Sequence, residues 1–188
     1  MARPSLVSDA ELVESLAGVF KAEGFEGASL AALSEASGLQ RASLYHRFPG
    51  GKEQMAEEVL RSTEAFMQKH IISMLEGDAP AQQRVQDLVK GLRAFYDGGR
   101  RNCLLNKLAA SGGKQHRLNK QIAAMMQRLM AALGKVAVDA GLKKDAAHAR
   151  AERTVMLLEG SLVMCRGLGT TAPFESMLRQ LPAELLGK

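Results

Sequence analysis

The stretch SLAALSEASGLQRASLYHRFPGGK, residues 29–52, decides the fold. Ser29 suits the N-cap of a short helix, because its hydroxyl can accept a free backbone N–H of the first turn. Leu30, Leu33 and Ala36 then share an inward face. Gly38 makes a tight turn and Leu39 buries it. A second short helix spans about 41–47, with Leu44 and Phe48 as its core contacts, before Pro49, Gly50 and Gly51 break the pattern. Its outward residues are Gln40, Arg41, Ala42, Ser43, Tyr45, His46 and Arg47, and no acidic residue occurs between 40 and 52. Two short helices across a glycine turn, the second basic and polar, are the layout of a helix-turn-helix. In that motif one helix braces and the next enters the DNA major groove.

Outward from this motif the pattern stays helical. Ser8 and Glu11 form a capping box. Leu12, Val13, Leu16, Ala17 and Phe20 recur at helical spacing behind it, and Gly24 is expected to end that helix. Downstream, one long helix is expected from Lys52 to Leu75, then helices over about 81–97, 103–111, 115–140, 145–167 and 173–186. Their breaks are Gly77–Pro80, Gly98–Gly99, Ser111–Gly113, Gly141 and Gly167–Gly169, and Pro182 is tolerated near the last end. No segment alternates with period two. The expectation is an all-α chain of about nine helices: a three-helix head over 1–51 and a larger helical body over 52–188.

Composition is consistent with this. The 188 residues suffice for a good core. Hydrophobic content is 46% with only 4% aromatic, so Leu, Ala, Val and Met must fill the interior. The formal net charge is +5, which fits a polyanionic partner, but its distribution matters more. Residues 1–53 hold five basic and seven acidic side chains, whereas 84–120 hold nine Lys/Arg against Asp87 and Asp97. The local signal for DNA is therefore 40–52. Cys103 and Cys165 are far apart and have no metal-ligand spacing; buried thiols in a reducing cytosol are the bland reading and a redox switch the sharper one. No signal-peptide core and no membrane-spanning apolar run occurs, so a cytoplasmic location is expected.

The N-terminal helix, SLAALSEASGLQRASLYHRF, the break, and a Lys opening a long helix together resemble the TetR family of bacterial transcription regulators. LYHRF is the most specific part, and the head resemblance covers about residues 8–70. FPGGKE at 48–53, NCLLNKLA at 102–109 and APFESMLRQLPAEL at 172–185 resemble the branch that includes flavonoid-responsive repressors. That resemblance implies an aromatic polyphenol or a drug as inducer. Two departures stand out: Gly50–Gly51 carries one residue more than many family members, and Gln40 replaces the usual Ser or Thr.

Arg41, in the first turn of the second helix, has the fork geometry for a bidentate guanine contact, and Gln40 the amide for adenine. Ala42 and Ser43 are small enough for close approach, and Ala42 can meet a thymine methyl. The resemblance implies that Tyr45 and His46 contact phosphate or bases. Ser29 and Lys52, each at a helix N-terminus, are expected on backbone phosphates. The solvated-surface reading stands beside each of these, and only their joint spacing outweighs it.

A small head offers few base contacts, so a homodimer on a palindromic operator is expected. Candidate interface residues are Val155, Leu158, Leu162, Phe174, Met177, Leu178 and Leu181, with intramolecular core as their competing role. Candidate lining for a hydrophobic or aromatic effector is Phe66, Leu92, Phe95, Tyr96, Leu108, Met125, Met126, Leu129, Met130 and Met156. Asn106 and Glu159 either fix a ligand hydroxyl or satisfy backbone and solvent. The basic stretch 84–120 is a solvated surface, an attractor for an anionic ligand, or a second face toward DNA. No nucleophile–base pair, zinc spacing or phosphate loop appears, so no catalytic residue, metal or cofactor is expected. The competing function is a helical ligand-binding or scaffold protein without regulated DNA binding.

Overall fold

The computed structural model of the chain describes residues 7–109 and 116–187. Ten α-helical segments and no strand occur among them: α1 Asp9–Gly27, α2 Leu30–Ser37, α3 Arg41–Arg47, α4 Gly51–Met67, α5 Ser73–Leu75, α6 Ala81–Phe95, α7 Leu104–Ala109, α8 His116–Asp139, α9 Lys144–Leu168 and α10 Ala172–Leu186. The expected break at Ser111–Gly113 lies outside the described residues.

The described chain forms two compact units. The first takes residues up to Thr63 together with the segment Leu104–Ile122; the second takes Glu64–Cys103 and everything from Ala123 onward. The return of α7 to the N-terminal unit follows no local signal, so an expected boundary at residue 51 does not coincide with these units. In the first unit α1 packs against α2 and α7, and α2 against α3. Its core is Leu12, Leu16, Phe20, Leu33, Leu44, Met55, Val59, Leu60 and Leu108, each nearly or fully sealed from solvent. Ser8 and Glu11 make the expected capping box, with the Ser8 N–H donating to Glu11 Oε2 at 3.0 Å. The Ser8 hydroxyl and backbone N–H hold the Glu11 carboxyl below its ordinary range. Gly24 takes a left-handed φ of 73°, but the helix does not stop there; it kinks and runs one more turn to Gly27. A glycine signals the left-handed bend, not the end of helical hydrogen bonding beyond it.

In the second unit α9 and α10 pack as a hairpin, and α6 lies against α10. The expected single helix from Lys52 to Leu75 is broken by a π-helical turn at Gln68–Ile72. The helix expected over 81–97 stops at Phe95, and a 3-10 turn follows at Asp97–Gly99. There Asp97, Gly98 and Gly99 take φ values of 48°, 61° and 97° in succession. A β-carbon on Gly99 would lie 2.8 Å from the Phe174 β-carbon, so glycine is required by both conformation and space.

Arg84 ties three helix ends together. Its guanidinium, 5% exposed, donates to the Leu75 carbonyl at 2.6 Å and to Asp139 at 2.7 Å. It thereby satisfies a free carbonyl at the end of α5 and joins the start of α6 to the end of α8. Arg84→Met should lower unfolding stability by about 2 kcal/mol, since hydrogen bonds to charged groups are lost and a buried carbonyl is orphaned. Urea denaturation followed by circular dichroism measures this; an unchanged midpoint would remove the clamp from the account.

Candidate nucleic-acid interface

The turn between α2 and α3 is held by side chains that the sequence pattern did not single out. Gly38 takes the left-handed conformation (φ 66°) and its N–H donates to the Glu35 carbonyl at 3.2 Å. The buried Ser37 hydroxyl donates to the Leu33 carbonyl at 2.7 Å and accepts the Leu39 N–H at 3.4 Å. The Ser34 hydroxyl donates to the Leu39 carbonyl at 2.5 Å. Two serines thus close the turn that sets α3 against α2. Their signal was available in the sequence as Ser residues flanking a glycine, but many serines show that pattern.

Helix α3 divides sharply. Leu44 is fully buried and Phe48 nearly so, while Gln40, Arg41, Ala42, Ser43, Tyr45 and His46 are all exposed, Tyr45 at 46%. Gln40 occupies the N-cap without a side-chain cap bond, so its amide is not committed to the helix end. The helix is secured instead at its other end. Arg47 pairs with Asp9 at 2.9 Å and donates to the Val7 carbonyl at 3.4 Å, tying the end of α3 to the start of α1. Arg47 is therefore a positioning residue, separate from the six exposed residues.

Two further anion-binding candidates flank α3. Ser29 is the N-cap of α2: its hydroxyl oxygen accepts the Ala32 N–H at 3.1 Å, which leaves the hydroxyl proton for an outside acceptor. Gly51 begins α4 with φ 65°, and its N–H donates to the Phe48 carbonyl at 2.8 Å. The next residue, Lys52, lays its ammonium 4.6 Å above the Phe25 ring and donates to the Glu26 carbonyl at 3.5 Å. An ammonium has three donors, so two remain for phosphate.

The residues expected to line an effector pocket do not all come together. Asn106 and Leu108 sit on α7 in the first unit, with Leu108 buried there. In the second unit Phe66 stacks on Phe95 at 5.2 Å, Phe95 meets Tyr96 edge-on at 4.9 Å, and Tyr96 meets Phe174 at 5.8 Å. Burial, then the neighbouring Cys103 and Glu159, push the Tyr96 phenol well above its ordinary range, so it stays a protonated donor. Leu92 and Met125 are buried; Met126, Leu129 and Met130 are half-buried. Met156 is 60% exposed on α9, away from any enclosed core.

The residues expected at a dimer interface are engaged within the protomer. Val155, Leu158, Leu162, Phe174, Met177, Leu178 and Leu181 are all buried in the unit that contains the α9–α10 hairpin. The exposed apolar residues of α9 are Met156, Val163, Met164 and Leu168. With Gly160 and Gly167, around which space is open, they recur at spacings of three and four along one face. Periodicity found an apolar helix with two apolar faces and could not say which one turns inward. Cys103 and Cys165 are both buried thiols. Among the described residues no group of His, Cys, Asp and Glu is placed to hold a metal ion, and no helix is long and apolar enough to cross a membrane.

A helix-turn-helix with a polar, exposed second helix on an all-helical chain defines a class of DNA-binding protein. The family model of bacterial regulatory proteins of the TetR family matches residues 12–59, and that of the LmrA/YxaF-like transcriptional regulator C-terminal domain matches residues 80–180. The chain belongs to the TetR family and is a DNA-binding transcriptional regulator, not an enzyme. The HTH-type transcriptional regulator LmrA of Bacillus subtilis (strain 168) is 30% identical over 78 residues, 42% of this chain and 42% of that relative's length. A TetR transcriptional regulator from Legionella pneumophila is similar in fold with a TM-score of 0.81 at 16% identity, over 94% of this chain and 97% of that one. The regulator CifR, as a cysteine mutant complexed with 26bp double-strand operator DNA, has a TM-score of 0.78 at 24% identity, over 97% and 98% of the two chains.

Arg41→Ala should weaken specific DNA binding by about 1–3 kcal/mol and relax one operator position, while Lys52→Ala should lower affinity for all sequences alike. Fluorescence anisotropy on matched and point-mismatched duplexes separates the two. Wild-type affinity and selectivity in Arg41→Ala would show that α3 reads DNA through other residues.

Proposed function

We propose that this protein is a ligand-responsive repressor that binds a palindromic operator as a homodimer, with residues 1–51 as the DNA-binding part and the remainder serving ligand and dimer contacts. The observation that carries the DNA reading is the exposed run Gln40–His46 on a helix whose only fully buried side chain is Leu44. Such a helix presents donors and acceptors outward while its apolar anchor holds it in place. In the proposed interface Arg41, Gln40, Ala42 and Ser43 meet base edges, Tyr45 and His46 meet bases or phosphate, and Ser29 and Lys52 meet phosphate.

The open face of α9, Met156–Gly160–Val163–Met164–Gly167–Leu168, supports the dimer reading. A contiguous apolar stripe left in water favours association, and glycines on it let a second helix approach closely. Two-fold association through that face supplies one recognition helix for each half-site of a palindromic operator. The effector reading rests on the aromatic and methionine side chains of the second unit, which suit a flat hydrophobic molecule. Such a molecule releases DNA only by binding better to the state that does not hold DNA.

Selection of genomic fragments by the purified protein should return a shared two-fold symmetric sequence; recovery of fragments with no common motif would sink the operator reading. Met164→Glu should convert the dimer to monomer in analytical ultracentrifugation and lower affinity for the full operator by more than about tenfold, with an unchanged thermal melt of secondary structure. A Met164→Glu dimer as stable as wild type would place the interface elsewhere.

A further inference from the structure

The stretch 40–52 carries three basic side chains and no acid, yet the fold brings an acid to it from the other end of the head. Asp9 opens α1, and its carboxylate stands 2.9 Å from the guanidinium of Arg47, the last residue of α3. The second amino group of that guanidinium donates to the Val7 carbonyl at 3.4 Å. The Arg47 side chain is 30% exposed and the Asp9 side chain 93%. A pair so open to water adds little to stability, so stability is not its main effect.

Asp9 is held where it stands. The Ser8–Glu11 capping box fixes the first turn of α1, and the free N–H groups of that turn favour a carboxylate. Glu11 commits its own carboxylate to the box, so Asp9 is the acid of this turn that meets α3. Arg47 lies one helical turn beyond Ser43, on the same side of α3. A free arginine at that place neutralises a phosphate whatever the sequence. A paired one does not. The two charges cancel at a distance, and a phosphate drawn to the guanidinium meets the carboxylate as well. Of the three basic side chains in 40–52, Arg41 and Lys52 then act as full positive charges.

We propose that Asp9 is a specificity-determining residue for DNA binding: by holding Arg47 it removes one sequence-blind phosphate contact per head and fixes the end of the reading helix. Non-specific affinity grows with every phosphate neutralised, and that background competes with any single operator. Withholding Arg47 lowers affinity for all sequences alike. Fixing α3 favours the contacts that read bases. The ratio of specific to non-specific binding rises on both counts. Asp9 acts through Arg47 and needs no contact with DNA; the inference rests on α3 as the reading helix.

The test uses the full-length protein and fluorescence anisotropy on two duplexes. One has random sequence, titrated between about 50 and 200 mM salt; the other is the symmetric sequence that genomic selection returns. Asp9→Asn should raise random-duplex affinity severalfold at the low-salt end and steepen the salt dependence by about one per head. Affinity for the selected duplex should rise less, so that the ratio of the two falls severalfold. Asp9→Glu, which keeps a carboxylate within reach, should behave as wild type. Arg47→Gln should leave the random-duplex slope as it is, and adding Asp9→Asn to it should change nothing further. Glu14→Gln, at another exposed acid of α1, controls for a general change of charge and should have the same small effect with and without Arg47→Gln. An unchanged slope in Asp9→Asn, with or without a lower thermal melt, would overturn the proposal. So would an equal gain from Asp9→Asn in the Arg47→Gln background, which would reduce Asp9 to one more negative charge. The expected Asp9 and Arg47 pattern together with wild-type selectivity in Arg41→Ala would uphold the charge masking and count against Arg41 as a base reader alone.

Discussion

A recognition helix of seven residues cannot hold itself together. Isolated helices shorter than about 12–15 residues are marginal in water, so α3 exists only because the rest of its unit fixes it. Three devices do so. Leu44 enters a core that also contains Leu12, Leu16, Phe20 and Leu33. Ser34 and Ser37 close the preceding turn by bonding to backbone on both sides of Gly38. Arg47 fastens the far end to Asp9 and Val7. With its ends and one side chain committed, the remaining face of α3 is free to be polar, and a rigid polar face is what base reading requires.

The second unit uses its few aromatic residues in one connected run. Phe66, Phe95, Tyr96 and Phe174 join α4, α6 and α10, and the left-handed turn at Asp97–Gly99 turns the chain immediately after Tyr96. Close contact of Gly99 with Phe174 makes that turn part of the packing and not a mere connection. Leucine, alanine and valine fill most of the rest.

Much of the fold was legible from local chemistry. The capping box at Ser8 and Glu11, the N-cap at Ser29 and the turn at Gly38 all lie where side-chain and backbone preferences put them. Local chemistry was silent on three matters. The π-turn has ordinary helical residues, and nothing in QKHII distinguishes it from α-helix. The return of α7 to the N-terminal unit depends on which distant surface its leucines meet. Which face of α9 turns inward was not legible either, because two apolar stripes of similar strength run along it, and Val155, Leu158 and Leu162 satisfy helical periodicity as well as Met156, Val163 and Met164 do.

The sequence by itself determined an all-helical chain with a helix-turn-helix at 29–52 and a basic, polar recognition helix, because capping, turn formation and amphipathic period are short-range effects. Only the tertiary structure decided which apolar faces pair inside the protomer and which remain outside, which elements join each compact unit, and where a helix is wound more loosely. Those outcomes depend on contacts between residues far apart in the chain. Helical period can assign a side chain to a face, but burial is settled by what that face meets.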